Sequence, residues 1–145
     1  MTLKQWAENG WLRPHATSPD EIRNLLAVVE RDIRDAEQPL SSDWSFGIAY
    51  NAALKLCTIL LYAEGYRSVR EMAHYRAIAA LPLILGGAKK QDTEYLDKCR
   101  AKRNIAKYEY AGGISETEAK ELVVFARHFR DEVKSWIQDN HPELL

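Results

Sequence analysis

Apolar residues recur at helical spacing through most of this chain, and the periodic stretches begin and end with helix-start and helix-stop chemistry. A short helix is expected near Leu3 to Glu8, ending at Gly10 and leading into a loop at Pro14, with Trp6 and Trp11 anchoring it. Ser18 caps a long helix with Pro19 in its first position and Glu21 three residues on, a capping box. Its apolar set, Ile22, Leu25, Leu26, Val29, Ile33 and Ala36, keeps the 3.6-residue period until Pro39 ends it. The next helix, about Ser42 to Glu64, is apolar almost all round. Only Asn51, Lys55 and Thr58 mark a narrow polar stripe, and Gly65 follows where a left-handed residue is wanted. An outward flank that apolar needs covering by the rest of the domain or by a second copy of it.

Ser68 and Glu71 spell a second capping box, while Pro82 and the Gly86-Gly87 pair imply that Ala73 to Leu85 is one kinked or divided helix. A fourth helix is expected from about Asp92 to Tyr108, before Gly112-Gly113. A fifth opens on the capping box Ser115 and Glu118, places Ala119, Leu122, Val123, Ala126, Phe129, Val133, Trp136 and Ile137 on one side, and closes at Pro142. No strand pattern, repeat or linker competes. The expectation is a single all-α domain over residues 1–145, with residues 1–17 as an N-terminal arm. Its short connections imply an antiparallel, up-and-down bundle of four to five main helices.

With 46% hydrophobic and 28% charged residues the chain has the balance of a globular protein, and 145 residues suffice for a core without disulfides or a metal. Cys57 and Cys99 lie among apolar neighbours in helices and are expected to be reduced and structural. The N-terminus has no signal pattern, and Asn51 and Lys55 interrupt the most apolar stretch, so no membrane span and a cytoplasmic location are expected. A net charge of −1 means that any electrostatic partner must be drawn by a local patch.

Phosphate-loop, Cys-x-x-Cys, His-Glu-x-x-His and Gly-x-Ser-x-Gly signatures are all missing, and His15, His74, His128 and His141 do not share a helix face. Neither a metal nor a cofactor is therefore expected. The unusual segment is Lys98 to Tyr110. Between Lys98 and Lys107 it holds Lys98, Arg100, Lys102, Arg103 and Lys107 with no acid, a local positive field suited to a phosphate backbone unless it is simply a solvated face. Arg103 lies four residues after Cys99 and seven before Tyr110, on the inward-looking face, where a guanidinium needs a partner or a task. Its planar donors suit a phosphate or a developing oxyanion, and Asn104 and Tyr108, one turn apart, add hydrogen-bonding groups beside it. His74, with Tyr75 and Arg76, is the one cluster elsewhere that can reach this site. Trp44, Tyr50, Phe125, Phe129 and Trp136 fall at helical spacing and read as core or dimer contacts.

The run Arg103-Asn104-Ile105-Ala106-Lys107-Tyr108-Glu109-Tyr110, at the end of the fourth helix, resembles the motif of HEPN domains. These are small helical bundles, many of them metal-independent ribonucleases or toxins paired with a nucleotidyltransferase antitoxin. Arg103, Asn104 and Tyr110 match the motif, while Tyr108 occupies its histidine position. The segment from Ser42 to Leu54, the Gly65-Tyr66-Arg67 turn and the closing helix extend the resemblance to about Ser18 to Gln138.

The resemblance implies a homodimer whose two motif helices line one cleft and which binds RNA or nucleotide phosphates through Arg103, Asn104 and Lys98, Arg100, Lys102 and Lys107. It further implies a nucleotidyltransferase partner, with Tyr110 as the target of nucleotide transfer. A ribonuclease with Tyr108 in the histidine's place is the catalytic form of this expectation. The alternative from a different class is a plain interaction scaffold in which Arg103 pairs with Asp97 or Glu109.

Overall fold

Where capping and periodicity coincide, helices form as expected. The computed structural model describes residues 1–109 and 111–145. In chain order the elements are α1 (Leu3–Glu8), β1 (Leu12–Pro14), α2 (Pro19–Ala36), α3 (Ser42–Ala63), β2 (Tyr66–Ser68), α4 (Ala73–Ala79), α5 (Leu81–Leu85), α6 (Lys90–Tyr108) and α7 (Glu116–Asn140). Short 3₁₀ turns cover Gly87–Lys89 and Pro142–Leu144. The fold is mostly helical, and the segment containing Pro82 is divided, with Ala80 ending α4 and Pro82 in the first turn of α5.

Three local expectations are corrected. Leu12–Pro14 and Tyr66–Ser68 pair as a two-stranded antiparallel ribbon in the register Leu12 to Ser68, Arg13 to Arg67 and Pro14 to Tyr66. Strands of three residues are too short to show alternation, and this pairing joins the N-terminal arm to the chain after α3. Gly65, at φ +90°, turns the chain there, and its carbonyl accepts from the His15 amide at 2.8 Å. Because Ser68 is committed to β2, it caps nothing; α4 starts instead after Met72, a left-handed residue at φ +57° with no side-chain cap. At α2, Ser18 accepts from the Glu21 amide, but the Glu21 carboxylate turns to His15 and Thr17, each at 2.7 Å, so the capping box is half made. That His15 contact holds the Glu21 carboxyl below its ordinary range, with Thr17 adding to the effect.

The centre of the molecule is α3, packed against α2, α7, α6, α4 and β2. Phe46, Ala49, Tyr50, Ala53, Leu56, Cys57, Leu60 and Leu61 are buried there, with Ile22, Val29 and Ile33 of α2 and Leu122, Ala126, Val133 and Ile137 of α7. α3 is long and apolar enough to cross a membrane, but most of that surface is buried inside the fold. The domain itself therefore supplies the cover that an all-round apolar helix requires, leaving Trp44, 61% exposed, as the large apolar group at its open end. Both cysteines are buried and free, and burial pushes the Cys99 thiol up to about 11.

Candidate functional site

Arg103 reaches α3 from the inward side of α6, as its spacing from Cys99 predicts. The side chain is half-buried, Nη2 donates to Asn51 Oδ1 at 3.3 Å, and the guanidinium carbon stands 5.5 Å from the centre of the Tyr50 ring. Both partners are neutral, and among the described residues no carboxylate pairs with it. Asp97, a candidate partner in the scaffold alternative, holds Arg100 at 2.9 Å instead. Tyr50 is fully buried, its hydroxyl has no hydrogen-bond partner among the described residues, and burial pushes its pKa well up.

The other motif residues are less gathered. Asn104 is exposed and faces a shallow hollow shared with Arg70, His74, Tyr75 and Arg100. Tyr108 is 70% exposed, has the Lys107 ammonium 5.2 Å from its ring centre, and lines neither of the concavities that meet at Arg103. Tyr110 lies outside the described residues. Within the basic run, Lys98 and Lys107 are exposed, but Lys102 pairs with Glu118 of α7 and Arg100 with Asp97. The acid-free stretch thus loses part of its field to carboxylates that lie just before it or on another helix.

The Asn51–Arg103 contact separates two concavities. On one side is a small hollow of about 240 Å³ between Trp44, Ile48, Ala106 and Lys107. On the other is a cleft of about 530 Å³ bounded by α2, α3, β2 and α4, within the ordinary range for ligand sites. Its floor is the polar stripe Asn51, Lys55 and Thr58, and its walls bring in Arg31, Asp32, Arg67, Ser68 and His74. Asp32 is the buried acid of the set and is held by Arg31 at 2.9 Å. Ser68 Oγ is buried without a partner among the described residues.

His74 is the residue that motif spacing does not supply. It shares the cleft with Arg103 and lies 6.5 Å, ring centre to ring centre, from the Tyr50 ring that Arg103 also faces. Burial chiefly, then Arg103, Arg100 and Lys55, holds its pKa below the ordinary histidine value, so the neutral imidazole prevails at neutral pH. Its neighbours in the original cluster go elsewhere: Arg76 stacks over Trp11 at 4.0 Å, and Tyr75 lies under Arg100 at 5.7 Å. The sequence signal for the cleft was the polar stripe of α3, but nothing local says which elements face it. No family model, no curated protein and no solved structure matches this chain.

Proposed function

We propose that this chain is a HEPN-like, cytoplasmic domain, an antiparallel bundle working as a homodimer, that binds RNA through its phosphates at Arg103. The observation that carries this reading is the guanidinium itself. It is half-buried, its partners among the described residues are the neutral Asn51 amide and the Tyr50 ring, and it keeps donors for an anion. Asn104 and Lys107, both exposed and within one turn of Arg103 on the same helix, extend the contact to neighbouring phosphates, while the exposed Lys98 adds to the field from another side of α6. The resemblance adds the toxin-type pairing with a nucleotidyltransferase antitoxin and Tyr110 as the acceptor of nucleotide transfer.

The catalytic form of this reading gains support from a residue outside the motif. A neutral His74 beside Arg103 has the properties of a base that accepts the proton of a ribose 2′-hydroxyl while the guanidinium stabilises charge on the phosphorane-like transition state. Attack of the 2′-oxygen on phosphorus would break the bond to the 5′-oxygen and leave a cyclic phosphate end. The test is a metal-free incubation with a mixed RNA pool, comparing wild type with Arg103→Ala, His74→Gln and Tyr108→Phe, with ends analysed for cyclic phosphate. Cleavage reduced about a hundredfold or more by Arg103→Ala and His74→Gln, with Tyr108→Phe near wild type, supports ribonuclease chemistry at this pair. Binding that weakens steeply with salt and falls in Arg103→Ala, without cleavage, supports the binding form alone. RNA neither bound nor cleaved sinks both.

A further inference from the structure

The cleft beyond Arg103 has a charge pattern that the motif does not account for. Lys55, Arg67 and Arg103 come from α3, β2 and α6, and none of the three has an ion-pair partner among the described residues. The cleft's one other cation, Arg31, is spent on the cleft's one acid, Asp32. On a chain of net charge −1, three uncompensated cations along one cleft make a concentrated positive field. Arg67 also stands directly across the ribbon from Arg13, and like charges in that position repel. An anion beside Arg67 relieves this.

The cations are strung out rather than clustered. Arg103 is tied to Asn51, at one end of the stripe. Lys55 is one helical turn further, about 6 Å along the axis. Arg67 lies past the end of α3, where Tyr62 lines the same cleft. The stretch of α3 from Asn51 to Tyr62 is about 16 Å long. A single orthophosphate cannot touch both ends, whereas a strand with regularly spaced phosphates can. Between the charges, Asn51 and Thr58 line the cleft with neutral hydrogen-bonding groups of the kind that ribose and base edges use, and the Ser68 hydroxyl, without a partner among the described residues, lies buried in its wall.

We propose that this cleft is the path of a short single-stranded RNA segment, two to three nucleotides long, whose successive phosphates meet Arg67, Lys55 and finally Arg103. The inference rests on the RNA reading of Arg103 and adds the direction from which the strand arrives. It also gives the polar stripe of an otherwise apolar helix a purpose. Positively charged grooves that track a backbone are the usual device of single-strand binding, and their affinity falls with salt in proportion to the phosphates neutralised.

Binding of fluorescent oligouridylates of increasing length, measured by anisotropy across a salt series, tests the path. The variants are Lys55→Ala, Arg67→Ala and Arg103→Ala, with Lys90→Ala as an exposed cation outside the cleft. Arg67 is an exposed strand residue, so its replacement tests the path even if Lys55→Ala disturbs α3. The expected result is that Lys55→Ala and Arg67→Ala each weaken binding about tenfold, with the salt slope falling by about 0.7 per cation removed, while Lys90→Ala stays at wild-type level. Affinity should stop rising steeply once the oligomer fills the cleft. If Arg103→Ala abolishes binding but Lys55→Ala and Arg67→Ala leave affinity and slope unchanged, the path is wrong and the Arg103 reading stands. Should the wild type bind free nucleotides and no strand, or no RNA at all, the path is overturned together with that reading.

Discussion

α6 and α7 are the two long helices of the C-terminal half, and they are held in opposite ways. α7 opens on a complete capping box at Ser115 and Glu118, buries seven residues from Ala119 to Ile137, and ties itself to α2 through Arg130 and Lys134 with Glu30 and to the residue that ends α2 through Arg127 with Glu37. α6 has no side-chain cap and buries only Leu96 and Cys99. From Arg100 on, its cross-helix polar contacts are Lys102 with Glu118 and Arg103 with Asn51. One helix is scaffold along its whole length. The other is positioned by its first half and uses its second half to hold cations above α3 and the cleft.

The difference is sharpest in the core. Leu122 of α7 is fully buried against α3, so Leu122→Ala should cost about 2–5 kcal/mol through lost burial and the cavity left behind. Ile105 of α6 is 46% exposed, and Ile105→Ala should stay within about 0.5 kcal/mol. Urea unfolding of both variants decides this: equal losses would mean that the end of α6 carries more of the fold than its packing shows.

A smaller effect is expected at the start of α7. Ser115→Ala removes the acceptor of the Glu118 amide and leaves of the capping box only the return bond from the backbone amide of residue 115 to the Glu118 carboxylate. The expected loss is about 1 kcal/mol, read as a shift of the unfolding midpoint. Because Glu118 also pairs with Lys102 of α6, the variant should loosen that contact too. Amide exchange at the end of α6 should quicken relative to the middle of α7, and an unchanged ratio would show that the two helices are not coupled through Glu118.

What was legible in the sequence follows the same division. Three signals agree on α7: a capping box, a clean apolar face and a closing proline. Its bounds could be read directly. The β1–β2 ribbon could not, because it joins two three-residue pieces on either side of α2 and α3, and neither carries a pattern of its own. Ser68 and Glu71 show how a local signal can mislead: the spelling of a capping box is present, but strand pairing claims Ser68 first. The site divides similarly. Arg103's inward position was legible from its spacing to Cys99. The polar stripe Asn51, Lys55 and Thr58 was visible, while the residues opposite it belong to α2, β2 and α4. Partners brought by tertiary packing leave no trace at the position they serve.

The weakest expected effect tests His74, which joins the scaffold to the cationic surface. Its imidazole faces Tyr50 and Lys55 of α3, Arg100 and Arg103 of α6, and Tyr75 and Arg70 around its own element. Burial, then Arg103, Arg100 and Lys55, depresses its folded pKa below the ordinary value of 6.5. The unfolded chain therefore takes up this proton first as pH falls. His74 contributes no pH dependence well above 6.5, and stability declines as pH drops below that value until the folded state protonates as well. His74→Gln should flatten the decline in this window, measured as the unfolding midpoint between pH 7.5 and 5.5. In Arg103→Ala, where the second cause is removed but burial remains, the decline should be partly flattened. A pH profile identical in all three proteins would mean that His74 does not feel the cations of α6, and the link between Arg103 and a neutral histidine would lose its physical basis.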